Sequence, residues 1–331
     1  MVPALVSLVA TSIGSLTNAG PASVVAAIPA IPCSGASKRC RRPMSAPTRI
    51  AVQVVLYDSL LKLPMLFRGL GALDLSGLDV TLRLFDNSPD RATAELMGEH
   101  ELPFPIEYVA SAEGNIGFGR GHNRLAARAG LECEYLLLLN PDTLPFDDMV
   151  LRLVEAAVAN PHAAMVEAAQ FPVEHQKAFD LETLHTDWCC AAGLLVRTRA
   201  FQKLGGFDER LFLYCEDIDL SWRAWLSGYE CIYAPGAKFV HMSQEDDLGK
   251  DRSAEVRFME VGNLFLRSKY FGPEAVADHV VFLHGAFPGH LVDDILGEFA
   301  RIACPRPLPV SHPRVRYADD HVNFGPVRWI P

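Results

Sequence analysis

The sequence lacks the features by which several classes of protein are recognised. Its eight cysteines include no C-x-x-C pair, so their spacing indicates neither a zinc ribbon nor a disulfide framework, and we expect reduced, mostly buried thiols. It has no continuous apolar run of about 18 residues or more, so a membrane-spanning helix is not predicted. Half of the 331 residues are hydrophobic, which excludes a disordered chain and suits one large domain or two small ones.

Acidic residues are missing from the first 57 positions, because the first one is Asp58. Residues 1–57 carry a formal charge of +5 and the rest carry −15, which does not favour nucleic-acid binding by the folded part. The basic residues at 38–42 follow an uncharged stretch, whereas a secretory signal has its basic residues first. We therefore expect residues 1–48 to be a disordered or mispredicted extension and the proline-rich residues 304–331 to be an irregular tail.

The first half of the folded part alternates short β-branched or apolar runs with helical stretches. Strands are predicted at Ile50–Tyr57, Val80–Phe85 and Ile106–Val109, with a leucine-rich helical stretch after the first and another helix at 124–130. The run Tyr135–Leu139 is apolar on both faces, as in a parallel sheet covered on both sides. This pattern predicts an α/β fold with a doubly wound, mostly parallel sheet, whose ligand-binding loops lie at the carboxyl ends of the strands.

The second half has a less regular pattern. It predicts a strand near Leu194–Arg197, a helix from about Asp217 to Leu226, two short strands, and helical segments towards the C-terminus. The short strands are Glu230–Tyr233 and Ala237–His241, and the helical segments are 252–271 and 273–302.

Polar residues follow three of the predicted strands. Asp86 and Asn87 can bind a base edge or a ribose hydroxyl, although an Asx turn or a helix cap explains them as well. In Asn140-Pro141-Asp142, the Asp142 carboxylate could hold a hard divalent cation that also contacts a diphosphate, but this tripeptide is equally a common turn. His241 ends an apolar strand, where a hydrogen-bonded core histidine is the simpler interpretation.

A glycine-rich loop runs from Asn115 to Asn123. Its three glycines would let the backbone approach a ligand and leave N–H groups at a helix N-terminus, which suits a phosphate. The spacing G-x-G-x-G after the third strand does not match the dinucleotide fingerprint, so a plain glycine-rich turn stays an alternative.

Three carboxylates fall within four residues at Glu216, Asp217 and Asp219. Asp219 and Arg223 share one helix face, which predicts a structural ion pair. Asp217 lies at the start of the helix and is either free to act or an N-terminal cap.

Taken in order, six segments resemble the family 2 inverting glycosyltransferases, particularly the rhamnosyltransferase-like branch. Each is a weak signal alone, but their joint order and spacing over about residues 49–271 are specific. The segments are Asp86-Asn87-Ser88, Asn115 to Gly119, Leu138 to Asp142, Gly205 to Glu209, Glu216 to Arg223, and Pro235 to His241.

The resemblance implies a GT-A fold, a nucleotide-sugar donor and a divalent cation, Mg²⁺ or Mn²⁺. We expect a GT-A domain at 49–271, C-terminal helices at 272–303 and a cytoplasmic enzyme of polysaccharide biosynthesis. The donor expected is a dTDP- or UDP-sugar, and the acceptor a glycan or a lipid-linked sugar. A lipid-linked acceptor would require peripheral contact with the inner face of the membrane through the helices after Pro273.

Site roles carry over from the resemblance residue by residue. Asp217 corresponds to the catalytic base, and Asp142 and His241 to the metal ligands. The residues implied to bind the donor are Tyr57, Asp86, Asn87, Asn115, Gly117, Gly119, Asn123 and Asn140. Those expected on the acceptor side are Trp188, Cys190 and Glu216.

The chain departs from the family pattern at Asn140, which takes the first position of the D-x-D element and removes one carboxylate. A sugar nucleotidyltransferase is an alternative, but it normally has a basic glycine-rich loop after the first strand, where this chain has Tyr57-Asp58-Ser59. A domain that binds a nucleotide or glycan without turnover is the non-enzymatic alternative.

Overall fold

The computed structural model describes most of the chain from residue 46 onwards. The described ranges are 46–89, 93–94, 101–174, 177–242, 253–304, 307–308 and 312–316, with the backbone of 328–329. Nearly all of the predicted N-terminal extension and much of the predicted C-terminal tail lie outside these residues, so both stay predictions.

The described chain contains ten strands, eight of which form one sheet. They are β1 (Thr48–Leu56), β2 (Leu78–Asp86), β3 (Ile106–Ala110), β4 (Tyr135–Leu139), β5 (Thr143–Pro145), β6 (Ala163–Phe171), β7 (Val173–Glu174), β8 (Gly193–Arg197), β9 (Glu230–His241) and β10 (Arg328–Trp329). The sheet order is β3-β2-β1-β4-β8-β6-β9-β5, and β7 pairs with β10. Neighbours are parallel except where β8 meets β4 and β6 and where β5 meets β9. The predicted mostly parallel sheet is therefore confirmed.

Helices cover both faces of this sheet. They are α1 (Leu63–Gly71), α2 (Phe118–Ala129), α3 (Met149–Ala159), α4 (Thr198–Leu204), α5 (Glu216–Leu226), α6 (Ser253–Leu266), α7 (Pro273–Ala286) and α8 (Gly289–Ile302). One core cluster joins the sheet to α1 and α3, and a second joins it to α2, α4 and α5. All five residues of β4 are buried, with Leu137 in the first cluster and Leu138 in the second. The prediction that this strand, which is apolar on both faces, is covered on both sides is therefore confirmed.

Strand register brings several chain segments to one edge of the sheet. Because β1, β2 and β4 run parallel, the residues that follow them leave the sheet on the same side. The antiparallel strand β8 begins at that edge, so the residues just before it lie there too. The pairs that define the edge are Leu56 with Asp86, Leu139 with Val54 and Gly193, and Thr143 with His241.

The structure differs from the sequence predictions at two strands in the second half. The two short strands predicted at Glu230–Tyr233 and Ala237–His241 are one strand, β9. Its pairing with β6 shifts register between Ala168 and Ala169, opposite Ala234 and Lys238, so residues 235–237 between the two predicted strands form an irregularity inside one strand. Strand β6 itself is not indicated by the pattern, because its alanine-rich sequence has low β-propensity.

Helix α2 begins at Phe118, six residues before the predicted start at 124, because its first turn is rich in glycine, which lowers helix propensity. Towards the C-terminus, α7 and α8 fall inside the predicted segment 273–302. Across the described ranges, every helix is too short or too polar to span a bilayer. The six described cysteines form no disulfide with one another, as expected.

Candidate functional site

Asp86 and Asn87 follow β2, where the sequence predicts nucleotide contacts. The Asp86 side chain is buried, and its oxygens accept hydrogen bonds from the Ser88 N–H (2.9 Å) and the Tyr108 hydroxyl (2.8 Å). The Asx turn is therefore present, and it also fixes the direction of the carboxylate. Tyr57, which follows the neighbouring strand β1, is 56% exposed and could offer its ring to a base.

The glycine-rich loop is held from two sides. Asn87 Oδ1 accepts the Ile116 N–H (3.1 Å) and its Nδ2 donates to the Gly117 carbonyl (3.3 Å), while Asn115 Oδ1 accepts the Gly117 N–H (3.0 Å). Gly117 has φ +93°, and a Cβ there would lie 2.4 Å from the Phe212 carbonyl oxygen. The glycine at 117 is therefore required by this close backbone approach.

The end of the loop packs against the segment around Phe207. Asn123 Oδ1 accepts the Phe207 N–H (2.9 Å), and its Nδ2 donates to the Phe207 carbonyl (3.0 Å). A Cβ on Gly119 would lie 3.0 Å from the Phe207 Cβ. These contacts give Asn123 and Gly119 structural roles, and their predicted donor contacts stay predictions.

We call Asn140, Asp142 and His241 the cation side of the site. The Asp142 Oδ1 lies 3.3 Å from His241 Nε2, and Asn140 Nδ2 lies 3.5 Å from the same nitrogen. His241 Nδ1 lies 3.1 Å from Gln170 Oε1 on β6. Lys62, just before α1, places Nζ 3.2 Å from Asp142 Oδ2. The predicted metal ligands are therefore neighbours.

The cation side is built to hold positive charge. Burial raises the pKa of the Asp142 carboxyl, but the hydrogen bond and charge of His241 and the ammonium of Lys62 outweigh it and lower the pKa to about 2. In the neutral form of His241 with Nδ1–H donating to Gln170, Nε2 has no proton and its lone pair faces Asp142, so a divalent cation there would replace the proton that the charged form places between the two side chains.

The donor set of the cation side fits a divalent cation. Two neighbouring octahedral ligands of an ion with bonds of roughly 2.1 Å lie about 3 Å apart, close to the 3.3 Å between Asp142 and His241. The described residues contain no cluster of three or more His, Cys, Asp or Glu, so within these ranges the cation side offers one carboxylate, one imidazole and the Asn140 carboxamide. Substrate phosphates and water would complete the coordination, as is common for Mg²⁺.

We call Asp217, Glu216 and the Ala191 N–H the base side. Asp217 Oδ2 accepts the Ala191 N–H (3.1 Å), and Oδ1 accepts the Ile218 N–H (2.8 Å). Helix α5 begins at Glu216 and its N-cap is Cys215, so Asp217 is not the N-cap residue, although its side chain does accept the Ile218 N–H of the first turn. Burial raises the pKa of Asp217 above its usual value, although both N–H groups lower it in part.

The two carboxylates beside Asp217 have different surroundings. Glu216 is buried, and its Oε2 has no hydrogen-bond partner within the described residues; burial, and then the Asp217 charge, raise its pKa well above the usual value. Asp219 is paired with Arg223 (2.8 Å) and Lys269 (2.5 Å). The predicted structural ion pair of Asp219 is confirmed, so Asp217 and Glu216 are the carboxylates of this helix turn that remain for chemistry.

The segment expected on the acceptor side lies over a buried ion pair. Lys177 contacts the Glu167 carboxylate, and its ammonium lies 4.8 Å from the centre of the Trp188 ring. Burial lowers the pKa of Lys177, but the charges around it, with Glu167 the largest, together raise it more, so the ammonium stays charged. Its charge lowers the pKa of Asp217. Cys190 is half-buried, and burial raises the pKa of its thiol well above the usual value.

A short backbone path joins the two sides. Ala191 donates its N–H to Asp217, and the carbonyl of the next residue, Ala192, accepts the Asn140 N–H at 3.2 Å. Asn140 in turn lies beside His241. Asp142 and Asp217 are 75 positions apart in the sequence. The two residues just before β8, Ala191 and Ala192, therefore hold them at the same edge of the sheet.

Sequence reasoning missed Lys62, Gln170 and the Glu167–Lys177 pair. Gln170 and Glu167 could have been noticed as the two polar residues of an alanine-rich run, had that run been recognised as a strand. Lys62 stands in the leucine-rich helical stretch after the first strand and Lys177 in a segment without a recognisable pattern, and only the fold brings them to the site.

Two curated relatives share 26% identity with the chain. The rhamnosyltransferase WbbL of Escherichia coli matches over 176 residues, which are 43% of this chain and 66% of that protein. The N-acetylglucosaminyl-diphospho-decaprenol L-rhamnosyltransferase of Mycobacterium tuberculosis matches over 223 residues, which are 54% and 72% of the two chains. The chain thus spans slightly less than two thirds of WbbL. No protein-family model matches.

Solved structures agree on the fold. The mannosyltransferase PcManGT from Pyrobaculum calidifontis, in complex with GDP-Man and Mn²⁺, superposes with a TM-score of 0.54 at 16% identity, covering 79% of this chain and 78% of that one. The chain has a GT-A fold, and its sequence is similar to those of rhamnosyltransferases. In this GT-A fold the cation side and the base side lie at the carboxyl edge of the sheet.

Proposed function

We propose that this GT-A protein is an inverting, cation-assisted glycosyltransferase that moves a sugar from a nucleoside diphosphate to an acceptor hydroxyl. The observation that carries the proposal is the backbone path through Ala191 and Ala192, which links the Asp142–His241 pair to Asp217. A cation site and a partly buried base at one edge would provide the two groups that a single displacement needs. The sequence relatives named as rhamnosyltransferases support the reaction class.

In this proposal Asp217 accepts the proton of the acceptor hydroxyl as its oxygen attacks the anomeric carbon. Its hydrogen bonds from two backbone N–H groups hold the carboxylate in one orientation, and its raised pKa increases its affinity for the proton. Asp142 and His241 would hold Mg²⁺ or Mn²⁺, which supplies Lewis-acid neutralisation of the departing diphosphate. Attack from the face opposite the leaving group inverts the anomeric centre.

The donor and acceptor are proposed by class. Asp86, Asn115 and Tyr57 lie where a nucleoside would meet the strand ends, and a dTDP- or UDP-sugar is the expected donor. The M. tuberculosis relative is named for an acceptor on diphospho-decaprenol, and we propose a lipid-linked or glycan hydroxyl for this chain. The apolar side chains Val281 (73% exposed) and Phe282 (50% exposed) on α7 support peripheral membrane contact.

A donor screen tests the proposal. UDP-, dTDP- and GDP-sugars are incubated with the full chain with and without Mn²⁺, and the released phosphate species are identified. Cation-dependent release of nucleoside diphosphate is expected. Release of pyrophosphate would instead indicate a nucleotidyltransferase, and binding of nucleotide in thermal-shift measurements without any release, even with added glycan acceptors, would indicate a binding domain.

A further inference from the structure

The Asp142 carboxylate meets a positive charge that the resemblance does not assign. Lys62 Nζ lies 3.2 Å from Asp142 Oδ2, on the oxygen opposite the one that faces His241. The Asp142 side chain is 10% exposed, whereas that of Lys62 is 38% exposed. One end of this ion pair is therefore fixed inside the site and the other reaches it from solvent.

The backbone of Lys62 is anchored independently of the ion pair. Its N–H donates to the Ser59 carbonyl (2.9 Å), and α1 follows directly. Helix α1 packs so closely on β5 that a Cβ on Gly69 would lie 2.6 Å from Pro145 Cδ. Because β5 follows Asp142 in the chain, this packing fixes the distance between the Lys62 backbone and the cation side, and leaves the lysine stem free to move.

The charge of the cation side also calls for an anion. Asn140 replaces a carboxylate of the D-x-D element, so Asp142 is the acidic group that faces both Lys62 and His241. A divalent cation and the Lys62 ammonium together bring three positive charges to the single negative charge of Asp142. These three groups would therefore have an excess of two positive charges. A diphosphate has the charge and the oxygen acceptors to balance it, and a lysine ammonium can donate to several of those oxygens.

We propose that Lys62 is a diphosphate-binding residue: its ammonium rests on Asp142 in the free protein and contacts the phosphates of the donor when the nucleotide binds. This inference rests on the proposed function. It assigns to Lys62, beside the cation, part of the neutralisation of the diphosphate charge. The competing interpretation is an ion pair that only ties α1 to the β4–β5 connection.

Titration calorimetry with UDP, dTDP and GDP in Mn²⁺ tests this role, with Mn²⁺ binding alone followed by electron paramagnetic resonance. For the nucleotide that the unaltered chain binds best, Lys62→Met should weaken binding about tenfold or more, and Lys62→Arg should recover most of it. Binding of Mn²⁺ alone should be no weaker in Lys62→Met, since a competing cation has left Asp142. Lys203→Met, which removes an exposed lysine of α4, is the matched control and should change neither.

The outcomes separate the two proposals. If the unaltered chain binds none of the three nucleotides, the proposed function fails. If it binds one and Lys62→Met binds it equally well, the role of Lys62 is wrong while the proposed function stands. Parallel loss of Mn²⁺ and nucleotide binding in Lys62→Met would show a structural ion pair and overturn the inference.

Discussion

The cation side contains a buried aspartate and the base side a partly buried one, and their surroundings shift the pKa values of the two carboxyl groups in opposite directions. Asp142 lies between the Lys62 ammonium and His241, and these contacts lower its pKa to about 2 in spite of burial. Asp217 has two backbone N–H donors and a more distant ammonium, and burial raises its pKa. The difference comes from the number of cations within contact of each carboxylate.

This difference separates two chemical tasks at one sheet edge. A carboxylate that stays ionised against added protons is suited to hold a cation over a wide pH range. A carboxylate with a raised pKa has a greater affinity for a proton, which a general base needs. Four predictions test this division, beginning with the largest expected effect.

Asp217→Asn should lower sugar transfer by about a hundredfold or more, because the carboxamide cannot accept the hydroxyl proton. Binding of nucleotide and Mn²⁺ should be nearly unchanged, since the amide oxygen can still accept the Ala191 N–H. Transfer rates and calorimetric affinities measure the two effects. Transfer at the level of the unaltered chain would remove Asp217 from the mechanism.

Asp142→Asn should lower Mn²⁺ affinity by about tenfold or more, because the site loses its one charged oxygen ligand. Transfer should fall with it and recover in part at high Mn²⁺ concentration. Asp148→Asn, which removes an exposed carboxylate paired with Arg152, is the control and should leave Mn²⁺ affinity unchanged. Equal Mn²⁺ affinity in both variants would mean that the cation binds elsewhere.

Gln170→Leu should weaken Mn²⁺ binding by about tenfold, because His241 loses the acceptor that fixes its Nδ1 proton and ring orientation. Gln170→Glu keeps an acceptor at this position and should retain tighter binding than the leucine variant. If the leucine variant binds Mn²⁺ as well as the unaltered chain does, His241 is not a ligand or needs no orientation.

The smallest effect is expected in the pH dependence of transfer. The base must be ionised, so kcat should fall as the pH drops through the pKa of Asp217, which burial places above the ordinary value of about 3.9. Replacing the buried pair together, Glu167→Gln with Lys177→Met, removes the Lys177 charge that lowers this pKa, and should move the acid limb to higher pH. Thermal unfolding checks that the variant folds. A displacement of the acid limb of the kcat profile to lower pH would contradict the assignment of that limb to Asp217.

The layering of the fold could be predicted from local patterns. The run Tyr135–Leu139 has no polar face, and it is the strand buried between two helical layers. Strand β6 could not be found in this way, since its alanines favour a strand only when neighbours on both sides supply hydrogen bonds and cover.

The candidate site likewise contains some residues that could be predicted from local patterns and others that could not. Asp86, Asp142 and Asp217 could be singled out because each follows a strand or begins a helix, and a family resemblance ordered them. Lys62 and Gln170 carry no local signal. They reach Asp142 and His241 through the packing of α1 on β5 and the pairing of β6 with β9.

By itself, the sequence determined the alternation of strands and helices and the polar residues at strand ends, because hydrophobic periodicity and turn chemistry act over a few neighbouring residues. Only the tertiary structure decided which charges face each carboxylate. Ala191 and Ala192, just before β8, link Asn140 to Asp217 by backbone hydrogen bonds. These hydrogen bonds depend on the pairing of β4 with β8, which are far apart in the sequence. The opposite pKa shifts of Asp142 and Asp217 follow from burial and from charges brought close by folding, which no local pattern contains.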